Sequence, residues 1–130
     1  MREILFRGKR KDINKWIEGW YVPPVDYKKN HWDASISYKV ESGHLEDVEV
    51  IPETVGQYTG LRDKNGKKIF EGDIVKAFKH NEEQFICAIK YKNGCFWFGN
   101  WNWCEFLNKF RSLEFIGNIH DNPELLVIEE

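Results

Sequence analysis

The sequence predicts a mainly β protein: a β-hairpin-rich region over residues 1–54, a small barrel over residues 55–130, and one or two short helices. Three observations point there. Residues 56–78 alternate tight-turn and strand chemistry: Gly60, then Asn65-Gly66, then Gly72-Asp73 bending into the β-branched run at Ile74. Asn-Gly tolerates the two positive φ angles of a two-residue hairpin turn, and a second such pair, Asn93-Gly94, separates two apolar runs. Aromatic residues make up 15% of the chain, which favours pleated surfaces over helices.

A chain of 130 residues is long enough to bury a core without covalent staples. A net charge of −2 gives no global attraction to phosphate or anionic lipid, so any nucleic-acid site has to be local. Cys87, Cys95 and Cys104 lie among apolar or aromatic residues and are read as reduced, buried thiols. No CxxC pair occurs and His31, His44, His80 and His120 are scattered, so no metal or other cofactor is expected. The N-terminus lacks an apolar run of signal-peptide length, and nothing approaches the ~20 apolar residues of a membrane span. A cytoplasmic protein without membrane contact is the expectation.

Taken in order, residues 3–7 read as a strand leading through the basic run Arg7–Lys11 into a turn at Asp12–Asn14. The return strand Lys15–Val22 places Trp16, Glu18 and Trp20 on one face and Ile17, Gly19 and Tyr21 on the other, and Pro23-Pro24 ends it. Residues 25–34 are polar and read as a loop. Ser35–Val40 alternates as a half-buried strand, Ser42-Gly43 turns, and Leu45–Ile51 returns, with Pro52 expected to close it. Residues 2–15 carry six basic residues against two acidic, while residues 41–53 carry five acidic and none basic. The two stretches are expected to face each other across a sheet or a subunit boundary.

Further on, residues 74–78, 84–92, 95–99 and 113–119 read as strands. Trp103, Phe106, Leu107 and Phe110 recur as one helical face, which predicts a short amphipathic helix. Asn122-Pro123 pairs a capping residue with a proline suited to a first helical position, and residues 127–130 read as a tail.

Four stretches, Arg2–Arg10, Lys15–Tyr21, Pro52–Val75 and Ile116–Leu126, together resemble the YopX family of small bacteriophage and prophage proteins. The resemblance implies a β-rich fold with an SH3-like barrel in the C-terminal part and assembly into homo-oligomers. It brings no established activity, hence no catalytic or binding residue. The shared residues as they stand here are Gly60, Asn65, Gly66, Gly72, Asp73, Asn122 and Pro123, all turn or cap residues.

Candidate chemistry is correspondingly thin. Asp63, Glu71 and Asp73 can be drawn as acid–base partners or a hard-cation site, but carboxylates at turns ordinarily hold backbone amides. His120 beside Asp121, or Cys104 with a histidine, lacks any motif that brings nucleophile and base together. The series around Trp97, Trp101, Trp103, Phe106 and Phe110 has three readings: core with a subunit interface, a base-stacking platform helped by Lys90, Lys92 and Lys109, or a small-ligand groove. The basic runs Arg7–Lys11 and Lys64–Lys68 read as solvated turns. The expectation is a non-enzymatic, self-associating module that binds a protein partner, with a nucleic-acid-binding regulator as the alternative.

Overall fold

The computed structural model describes residues 4–126, the side chains of Tyr27 and Asn30 excepted. The expected start of the first strand at residue 3 and the tail 127–130 lie outside the described residues. The fold is mainly β, and the chain forms two compact units that divide between Tyr58 and Thr59.

The first unit contains β1 (Phe6–Arg10), β2 (Trp16–Val22), β3 (Val25–Tyr27), β4 (Asn30–Trp32), β5 (Ser35–Lys39) and most of β6 (Leu45–Arg62). Antiparallel pairing runs β1–β2–β5–β6 and returns from β6 to β1, so these four strands close a ring. Inside it Ala34, Ile36 and Val50 are buried, with Phe6, Ile17, Tyr21 and Val55 packed around them. The predicted faces of β2 hold: Gly19 is buried while Trp20 and Glu18 are exposed. Gly19 has to be glycine, because a Cβ there would collide with the Ser37 carbonyl and come within 2.8 Å of Ile36 Cγ2.

Two expectations fail here. Pro52 does not end its strand; β6 runs on to Arg62. The register of β1 against β6 shifts between Arg7 and Lys9, so Pro52 falls in an irregularity where its missing N–H breaks no regular ladder. Thr54 bridges the gap, accepting from Lys9 N at 2.9 Å and donating to Ile51 O at 2.6 Å. Residues 25–34 are not a plain loop either: β3 and β4 pair as a hairpin, turned with Lys28 at φ 55°. Neither turn residue is Gly or Asn, so the usual signal was missing. The basic and acidic stretches do meet across a sheet, with Lys11 N donating to Glu49 O and Lys11 Nζ 3.3 Å from the Glu49 carboxylate.

The second unit takes the end of β6, then β7 (Lys68–Phe70), β8 (Asp73–Lys79), β9 (Gln84–Lys92), β10 (Cys95–Phe98), β11 (Trp101–Asn102), α1 (Trp103–Lys109), β12 (Phe110–Asn118) and a 3-10 turn, Pro123–Leu126. One sheet has the order β11-β10-β9-β8-β12, all antiparallel. These pairings do not by themselves define the SH3-like barrel that the family resemblance implies. Val75, Ala77, Cys87, Ile89 and Leu113 supply the aliphatic part of the core, and Phe96, Phe98, Phe106 and Phe110 the aromatic part.

The two Asn-Gly pairs behave differently. Asn93 and Gly94 both have positive φ, 52° and 80°, and Lys92 pairs with Cys95 around the expected two-residue turn. At the other pair only Gly66 is left-handed, at φ 88°. Asp63 N donates to Lys67 O and Gly66 N to Asp63 O, which makes a three-residue loop closed by a glycine bulge. The reason is Asp63, whose carboxylate captures the loop amides.

The predicted helix forms, at the expected one or two turns but rotated. Asn102 caps it reciprocally with Glu105, a box legible in the Asn-x-x-Glu spacing. That start point turns Phe106 into the core, leaves Leu107 50% exposed, and hands Phe110 to β12.

Candidate functional site

The polar residues of the second unit hold backbone. Asp63 Oδ1 accepts from Asn65 N and Lys67 N, and Oδ2 from Phe115 N, each at 2.9 Å. Burial alone would raise this carboxyl, but the three amides and the Lys67 charge outweigh it and hold the group below its ordinary range. Asp73, fully buried, accepts from Phe70 N at 2.7 Å across the bend at Gly72, whose φ is 94°. Gly60 is also left-handed, at φ 92°. Asn122 accepts from Asn118 N at 3.2 Å and donates its own N–H to Asn118 O, fixing the approach to Pro123. Gly117 is glycine because a Cβ there would sit 2.7 Å from Asn122 Oδ1 and 2.8 Å from Leu125 Cδ1.

Asp63 and Asp73 each serve separate turns, and among the described residues no three His, Cys, Asp or Glu side chains are grouped to hold a metal. Cys104 is exposed rather than buried as expected, because it falls on the solvent side of α1. Cys95 is half-buried. Cys87 is buried, and desolvation pushes its thiol up to about 11.

The aromatic candidates separate into three groups. Phe106 and Phe110 are core residues, 3% and 5% exposed, with ring centroids 4.6 Å apart in a stack that continues to Phe98 at 4.2 Å. Their faces are occupied, so they offer no stacking surface. Trp101 and Trp103 are half-buried against the same core, Trp101 edge-on to Phe110 and Trp103 tilted on Phe98. Trp97 lies on the other side of β10 from the buried Phe96 and Phe98, with Lys92 Nζ 5.0 Å from its ring centroid.

Two surface features went unrecognised in the sequence. In the first unit Trp20 and Trp32 are 52% and 48% exposed. A depression of about 490 Å³ is lined by Val22, Trp32, Asp33, Ser35, Asp47 and Glu49, and Trp20, two residues before Val22, points to the same side of β2. The Asp33 carboxyl is held low by a hydrogen bond shared with Glu49 and by the charges of Lys11 and His31. In the second unit a groove of about 240 Å³ has an apolar lining of Leu61, Phe106, Leu107, Phe110 and Leu113. Arg62, Lys64 and Arg111 stand along it with Ser112. Alternation along a strand shows two faces but not which one the rest of the chain covers, so neither feature was readable.

The chain is a member of the YopX family: the model described as "YopX protein" matches residues 5–127. It is similar to the crystal structure of protein EF1440 from Enterococcus faecalis, with TM-score 0.60 and 26% identity over 97% of this chain and 99% of that one. No curated protein matches the sequence.

Proposed function

We propose that this YopX-family protein is a non-enzymatic accessory protein of a bacteriophage or prophage, working in the host cytoplasm as a self-associating module that binds a protein partner. The observation that carries the reading is the pair of open indole rings, Trp20 and Trp32, beside the depression on the outer side of β2 and β5. Large exposed aromatics rimmed by polar residues mark association surfaces, where Trp is enriched. The free thiols support a reducing compartment.

Two features weigh against the nucleic-acid alternative. Phe98, Phe106 and Phe110 have their faces stacked on one another, and Lys92 already covers Trp97. The test is sedimentation equilibrium at micromolar concentration together with a low-salt titration of short single strands and duplexes. A mass above 15.5 kDa without nucleic-acid binding is the expected result, and salt-sensitive oligonucleotide binding by a monomer is the opposite one.

A further inference from the structure

We infer that the groove beside α1 in the second unit is a docking site for a partner-protein segment that carries aliphatic side chains between carboxylates. This rests on the reading of the chain as a protein-binding module, but not on its self-association.

Two observations select that occupant. First, the lining offers aliphatic contact and ring edges without ring faces, since Phe106 stacks between Phe98 and Phe110 and both lining rings are buried. It suits a leucine or isoleucine rather than a nucleobase. Leu107, 50% exposed on α1, leaves apolar surface there for a ligand to cover. A volume of about 240 Å³ has room for one or two side chains and not for a buried helix.

Second, the charges along the groove are cationic. Asp63 lines it too, but its carboxylate already accepts three backbone amides, whereas Arg62, Lys64 and Arg111 stand at its margin. Their positions already receive carboxylates: Arg111 meets Glu82 at 2.9 Å and Lys64 lies 3.9 Å from Glu114. Both are solvent-accessible pairs, so a ligand carboxylate can replace either partner at small cost, and the planar guanidinium of Arg111 suits it.

The test is amide chemical-shift perturbation on the full chain with four probes: the acetylated peptide Asp-Glu-Leu-Leu-Glu-Asp, its Ser-Ser counterpart, the basic peptide Lys-Lys-Leu-Leu-Lys-Lys, and a short oligothymidylate. The acidic leucine peptide should shift Leu107, Arg111 and Ser112, and bind at least about tenfold more tightly than the others. The double variant Arg62→Glu/Arg111→Glu, checked for an unchanged spectrum elsewhere, should lose that peptide and gain the basic one. Tighter binding of the oligothymidylate, equal response to both leucine peptides, or no perturbation of the groove by any probe would overturn the assignment. Sedimentation of the same samples reads self-association separately, so failure of this site is distinguishable from failure of the oligomer.

Discussion

Asp63 Oδ2 accepts the backbone N–H of Phe115 at 2.9 Å, joining the loop after β6 to an edge strand 52 residues later. One residue on, Lys64 N donates to Leu113 O, so the loop covers part of the open edge of β12 as a neighbouring strand would. A carboxylate that the sequence offers as a catalytic candidate is thereby a fastener, and its removal has a defined cost. Asp63→Ala should destabilise by about 2–3 kcal/mol in urea unfolding, chiefly by leaving the partly buried Phe115 amide unpaired.

Acid titration supplies a second reading of the same residue. The folded carboxyl titrates below its ordinary value of 3.8, so its contribution is complete above that pH and is lost as pH falls through the folded pKa. Asp63→Asn should therefore be less stable than the parent at neutral pH. The gap should narrow as both are acidified below about 3.8, which unfolding midpoints measured across the acid range will show.

The two Asn-Gly turns give a prediction that separates their conformations. Asn93 is left-handed and Asn65 is not. Asn93→Ala should cost about 1–2 kcal/mol and Asn65→Ala less than about half of that, since only the former forces an alanine into the αL region. Comparable losses at both would mean that the first turn has the two-residue form.

Inside the four-strand ring, Gly19→Ala has no room beside the Ser37 carbonyl and Ile36. It should cost about 1–3 kcal/mol or more by overpacking, measured against Gly43→Ala, where the added methyl meets nothing and only the positive φ of 97° is penalised.

Thiol accessibility follows the same map. With a thiol-reactive dye at mildly alkaline pH, Cys104 should react first and Cys87 only on unfolding, because Cys87 is buried and its thiol titrates near 11.

Much of this fold is visible in local chemistry. The Asn93-Gly94 hairpin, the two faces of β2, and β8, β9, β10 and most of β12 depend on turn residues and on alternation, which neighbouring positions determine. What escaped depends on distant partners. Asp63 redefined the Asn65-Gly66 turn by accepting from Asn65 N and Lys67 N while its other oxygen holds Phe115 N 52 residues away, and Pro52 survives in β6 because Thr54 bridges to Lys9. The candidate surface was misplaced for a related reason. Phe106 and Phe110 share a period with Leu107, and only the packing against Phe98 decides which of them is hidden.

The direct test of the central claim compares the parent with Trp20→Ser/Trp32→Ser by light scattering at micromolar concentration. The parent should have a mass above 15.5 kDa and the double variant, still folded by its far-ultraviolet spectrum, that of a single chain. A parent that is itself a monomer, or a variant that assembles as the parent does, would contradict it.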